Sequence, residues 1–188
     1  MTTAIQTESS TSTWTIDASH SLIEFAAKHM MITTVKGRMA DVRGTLTVDE
    51  ASPDRSSVEV EFAAASIDTG AEQRDQHLRS PDFLDVEKYP TVSFRSRRIE
   101  GAQGATGKRF RMVGDLTIRG TTREVTLDAT FEGRGRDPWG GDRISFNATT
   151  TVDRRDFGLT WNTALEAGGV LVSNEVKINI ELQAVRAA

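Results

Sequence analysis

Apolar and polar residues alternate with a period of two along most of the chain, the pattern of strands that bury one face and turn the other to water. Ile23, Phe25 and Ala27 are separated by Glu24 and Ala26, and Val58, Val60 and Phe62 by Glu59 and Glu61. The same alternation runs through Val42 to Val48, Val92 and Phe94, Phe110 to Ile118, Val125 to Phe131, Ile144 to Val152, and Val176 to Leu182. This predicts about eight strands. Turn-forming clusters separate them: Ser52-Pro53-Asp54, Gly101 to Gly107, Arg119-Gly120-Thr121, and Gly133 to Gly141. Such spacing favours antiparallel hairpins, and the lack of intervening long helices argues against a parallel α/β sheet. Strands of about ten residues reach roughly 30 Å at ~3.3 Å per residue. Each must bury its apolar face, and eight strands closed on themselves enclose room for one small ligand. The predicted fold is an all-β, eight-stranded antiparallel barrel.

Two stretches break the alternation. Gly70 to Pro90 contains Ser80-Pro81-Asp82, a helix-start signal, and predicts one or two short helices crossing one barrel end. Asp156 to Val172 carries Phe157, Leu159, Trp161, Leu165, Val170 and Leu171 around Gly158, Gly168 and Gly169. A loop this apolar covers something. It is either a plug that packs the barrel end or a lid over a lipid, and the pattern weighs both equally. Met1 to Thr13 reads as a polar, flexible tail, which leaves residues 14–188 as one domain.

The chain has 188 residues, a length that suits a single barrel. Its 23 Lys and Arg against 27 Asp and Glu give a net charge of −4. Without a broad basic field, neither nucleic acid nor an anionic membrane is an expected partner. The absence of cysteine removes disulfides, thiolate metal sites and cysteine nucleophiles. The N-terminus has no basic start followed by an apolar run, and no run approaches the roughly 18 residues of a membrane span. The expectation is a cytoplasmic protein without a membrane span; a periplasmic or secreted place applies if a leader has been removed.

The candidate chemistry is thin. His20, His29 and His77 have no metal-ligand spacing and are expected to make structural hydrogen bonds. Arg74-Asp75-x-His77 and Arg154-Arg155-Asp156 look like acid–base clusters, but there is no G-x-S-x-G elbow and no nucleophile–base pair. Surface ion pairs that hold loops are the expected role. No catalytic residue, metal ligand or cofactor is assigned.

The order of segments resembles the YceI-like family of polyisoprenoid-binding proteins. Trp14-Thr15-Ile16-Asp17 followed by His20-Ser21 and Phe25 is similar to the family's opening strand, with His29 and Gly37 beyond it. Ser66-Ile67-Asp68-Thr69-Gly70, Arg74-Asp75-x-His77-Leu78, Asp82-Phe83 and Tyr89-Pro90-Thr91-Val92-Ser93-Phe94 resemble its most characteristic block. Gly114-x-Leu116-Thr117-Ile118-x-Gly120 and Asp153-Arg154-x-Asp156-Phe157-Gly158 complete the match, which runs from Trp14 to about Val185. The resemblance implies an elongated, lipocalin-like barrel with a hydrophobic pore for a long apolar molecule: a polyisoprenoid, an isoprenoid quinone or a fatty-acid derivative. It also makes a homodimer a partner to test for, and supplies no catalytic residues.

The expected function is therefore sequestration or transport of a long-chain apolar lipid. Alternation assigns Phe25, Phe62, Phe94, Met112, Leu116, Phe131, Phe146 and Ile178 to the pore, and a slip of one residue would exchange the faces. The alternatives are an enzyme acting on an apolar substrate, with His29 or His77 as proton carrier, and a filled-barrel stress protein without ligand.

Overall fold

The computed structural model describes residues 11–187. Ten strands are formed: β1 (Thr11–Ile16), β2 (Leu22–His29), β3 (Thr33–Met39), β4 (Arg43–Asp49), β5 (Ser57–Ala63), β6 (Thr91–Glu100), β7 (Arg109–Ile118), β8 (Thr121–Arg136), β9 (Asp142–Asp153) and β10 (Val172–Arg186). One α-helix, α1 (Glu72–Arg79), lies between β5 and β6. Eight of the strands form a closed antiparallel ring in the order β1-β4-β5-β6-β7-β8-β9-β10, with β10 returning to β1.

The ring contains eight strands, but not the eight that alternation picked out. β1 closes it: Trp14 pairs with Leu46 of β4 on one side and Arg186 of β10 on the other. Thr11–Thr13, expected to lie in the tail, belong to β1. Residues 1–10 lie outside the described residues. β2 instead pairs with the first part of β10 and carries β3 on its other edge. Ser21 makes the break between β1 and β2, its hydroxyl donating to the Gln183 carbonyl at 3.3 Å and accepting from the Gln183 N–H at 3.1 Å. The far edge of β3 meets the segment after β5, where Arg38 and Asp68 exchange backbone hydrogen bonds of 2.8 and 3.0 Å.

Turn chemistry fixes the hairpins. Arg119 and Gly120 both have positive φ, 49° and 69°, between the paired residues Ile118 and Thr121. That backbone twist matches the twist of the strands it joins, and glycine adopts it without steric cost.

The helix differs from the expectation in phase. Ser80-Pro81-Asp82 does not begin a helix; it follows one, with Ser80 extended at ψ 169° as the residue after α1. Steric pressure from the proline ring disfavours helical geometry in the preceding residue, so the helix stops at Arg79. α1 is tied down by Arg79, which donates to the carbonyls of Ala65 and Ile67 at 2.9 Å each.

The core runs through the ring and out into the connections at one end. Trp14, Ile144 and Ala184 are fully buried within the barrel, while Phe83, Leu84, Phe157 and Leu159 join the same cluster from connecting segments.

Candidate functional site

Inside the ring lies a cavity of about 310 Å³. That is the low end of the range typical of small-molecule sites, about 300–1,000 Å³. Every ring strand except β1 contributes to its wall: Leu46 from β4, Val58, Val60 and Phe62 from β5, Phe94 from β6, Phe110, Met112 and Leu116 from β7, Leu127 and Phe131 from β8, Ile144 and Phe146 from β9, and Ile178, Ile180 and Leu182 from β10. Ile23 of β2 adds to them. Phe131 and Phe146 pack with ring centroids 5.2 Å apart, and Phe110 meets Phe146 edge-on at 6.1 Å.

The wall has little to offer a polar ligand. Thr150 reaches it, but its hydroxyl donates to the Thr126 carbonyl at 2.8 Å. Among the described residues no buried side-chain nitrogen or oxygen lacks a partner. Polar groups gather at the mouth instead. Glu50, Ser56, Gln103, Lys108 and Arg134 border the cavity where the β4–β5 and β6–β7 loops meet the end of β8. Arg134 is paired there with Glu50 at 3.2 Å.

The opposite end is closed. The stretch after β9 turns inward, burying Phe157 and Leu159, and Arg154 holds it in place. Arg154 is 5% exposed and, among the described residues, forms no ion pair with a carboxylate. Its guanidinium donates to the carbonyls of Ser173 (3.0 Å), Leu159 (2.5 Å) and Trp161 (2.9 Å), and more distantly to Asn174 Oδ1 (3.4 Å). Burial pulls its pKa below the usual arginine value. The expected surface ion pair belongs to Arg155, 2.6 Å from Asp153, whose carboxyl that contact holds at about 2. Arg154 itself is a buried anchor, which the sequence reading missed; an arginine beside an apolar glycine-containing loop was the available signal.

The other expected cluster is also structural. Arg74 and Asp75 do not form an ion pair; both bind Thr69. Asp75 is buried and accepts from the Thr69 N–H (2.9 Å) and hydroxyl (2.5 Å), while Arg74 donates to the Thr69 hydroxyl (2.7 Å) and carbonyl (3.0 Å). His77 lies 2.9 Å from Asp82 and edge-on to Phe83 and Trp161, at 5.1 and 4.6 Å. His20 lies 2.9 Å from Asp17. The His29 ring makes no hydrogen bond among the described residues. None of these histidines borders the cavity.

Asp17 and Asp137 both grip Arg143, at 2.6 and 2.7 Å. The Ser19 hydroxyl and then Arg143 hold the Asp17 carboxyl well below the usual carboxylate range. Arg143, followed by the Gly141 N–H, does the same for Asp137.

Of the eight residues assigned to the pore from alternation, Phe62, Phe94, Met112, Leu116, Phe131, Phe146 and Ile178 border the cavity. Phe25 does not, although it pairs with Ile178 and so shares its face. Its ring lies against Gly37. Alternation also passed over Ile23, Phe110, Leu127 and Ile180 as wall residues, though they stand in the same strands and on the same faces.

A closed eight-stranded antiparallel ring around an apolar cavity places the chain among barrels of lipocalin-like architecture. Residues 14–184 match the YceI-like domain, and the chain belongs to that family. A UPF0312 protein of Pseudomonas putida (strain W619) is 40% identical over 143 residues, 76% of this chain and 73% of its own length. Among solved structures, Burkholderia cenocepacia BcnA superposes with a TM-score of 0.76 at 23% identity, covering 89% of this chain and 98% of its own. A polyisoprenoid-binding domain from Saccharophagus degradans, implicated in plant cell wall breakdown, gives 0.69 at 14% identity, covering 93% and 98%. At those identities the two structures speak for the fold.

Proposed function

We propose that the protein is a lipid-binding module, not an enzyme, and that it sequesters or carries one long-chain apolar molecule in the barrel. Polyisoprenoids, isoprenoid quinones and fatty-acid derivatives are the candidate class. The observation that carries this reading is the cavity wall, built almost wholly from aliphatic and aromatic side chains with its charged groups confined to the mouth. Burial of hydrocarbon there is favourable by about 25 cal/mol per Å² of apolar area, less the entropy of ordering the chain. Family membership and the polyisoprenoid-binding fold neighbour support the same class. The ligand contacts are assigned to Phe62, Phe94, Met112, Leu116, Phe131, Phe146 and Ile178.

Native mass spectrometry of the purified protein, followed by organic extraction, tests this. The expected result is one apolar compound in near-equimolar amount, or saturable uptake of an added polyprenyl alcohol by the emptied protein. A folded barrel that carries no lipid and takes up neither a polyprenyl alcohol nor a fatty acid would sink the reading in favour of a ligand-free barrel. The same spectra report whether the chain forms a homodimer.

A further inference from the structure

Two phenylalanine rings, those of Phe25 and Phe94, lie over a glycine of a neighbouring strand, and in both places the missing side chain makes the room. Phe25 of β2 and Gly37 of β3 are directly paired. A Cβ at position 37 would stand 2.3 Å from Cζ and 2.7 Å from Cε1 of Phe25, and 2.8 Å from Cγ2 of Thr69. The ring thus fills the volume that a side chain at 37 would need, with Thr69 closing the far side. On β7 a Cβ at position 114 would stand 2.5 Å from Cζ and 2.8 Å from Cε2 of Phe94, and 2.4 Å from the Arg95 carbonyl oxygen. Neither glycine has a positive φ. Backbone freedom therefore does not explain them, and glycine inside a strand weakens it unless something approaches closely.

We propose that Gly37 and Gly114 are specificity-determining residues of the cavity: by letting Phe25 and Phe94 lie flat, they set the depth and width left for the ligand. This rests on the lipid-binding reading above. Phe25, Gly37 and Ile178 stand at one level of the barrel, and Ile178 borders the cavity while Phe25 does not. Since Ile178 borders the cavity beside Phe25, a ring expelled from Gly37 is expected to move toward it and shorten the chain that fits. Gly114 pairs with Val125, which borders the cavity, and a ring lifted off Gly114 narrows the bore at that level. The ligand class selected is one whose apolar chain reaches past Phe94 to the level of Ile178.

The test is titration of the full chain with a graded series of isoprenoid alcohols, from farnesol through geranylgeraniol to solanesol, following tryptophan fluorescence. Gly37→Ala meets only side chains, so it is the first variant. It should weaken the longest alcohol that the unaltered protein binds by about tenfold, or about 1.4 kcal/mol, and leave farnesol within about twofold. Adding Phe25→Ala to Gly37→Ala should restore the long alcohol, which a merely structural defect would not do. Phe25→Ala alone keeps Gly37 and needs no new space, so it reads out even if Gly37→Ala fails to fold; it should admit a longer alcohol than before. Equal changes for all chain lengths, an unchanged length preference in folded variants, or no restoration by Phe25→Ala would overturn the inference. If the unaltered protein binds none of the alcohols, it is the lipid-binding reading that fails.

Discussion

At the end where β9 leads into β10, Phe157, Leu159, Phe83 and Leu84 fill the barrel; at the other end Phe110, Phe131 and Phe146 surround a space. The strands at both ends follow the same alternation. The difference lies in the connections. Two connections at the closed end, residues 64–90 and 154–171, are long and bring their own apolar side chains, which fold back into the ring. Those at the mouth, residues 50–56, 101–108 and 137–141, are shorter and mostly polar; Ala102 alone of them packs against the core, and Trp139 is 87% exposed. A barrel is thus made hollow or solid by what its loops insert, and Arg154 shows how firmly one insertion is held.

The largest expected effect separates the two ends directly. Phe157 is 1% exposed, so Phe157→Ala should cost about 3–5 kcal/mol of stability. Phe146→Ala enlarges a space that already exists and should cost about 2 kcal/mol, mainly the lost transfer term. Urea unfolding of both variants checks this, and equal costs would mean that the mouth half is as solid as the closed half.

Arg154→Met comes next. It keeps most of the bulk but leaves the carbonyls of Leu159, Trp161 and Ser173 without their donor, an expected loss of about 3 kcal/mol. Hydrogen exchange should then report opening of residues 157–173 while the ladders of β6 to β8 stay protected. Uniform loss of protection would show that the plug is not a separable feature.

Acid should loosen the Arg143 contacts at the mouth. Asp17 and Asp137 titrate below the usual aspartate range when folded, so over that interval the unfolded chain binds more protons and stability rises with pH. Their contribution is complete above the ordinary value of about 3.9 and fades as pH falls through the lower folded values. A series of urea midpoints below about pH 4 should decline in the unaltered protein, and Arg143→Met should flatten that decline. An equal slope in both would remove Arg143 from the account.

The smallest effect belongs to the closed end's surface. Arg155→Ala breaks an exposed ion pair with Asp153 and should leave the urea midpoint nearly unchanged, with any difference fading in salt. A larger loss would mean that Arg155 shares the anchoring role of Arg154.

Period-two alternation by itself determined the barrel, its antiparallel order and the faces of seven cavity residues, because burying one face of a strand leaves an imprint on every second position. Arg119-Gly120 announced its hairpin for an equally local reason, a backbone twist that glycine favours. β3 escaped, since its inward positions include Gly37, whose missing side chain is replaced in space by Phe25 from another strand. The same exchange took Phe25 off the cavity wall. Whether β1 or β2 closes the ring, whether Arg154 lies inside or out, and which end of the barrel is empty were decided by tertiary structure alone. Each depends on how volume is shared between segments distant in sequence, and alternation records only which way a side chain faces, not what already occupies the space it faces into.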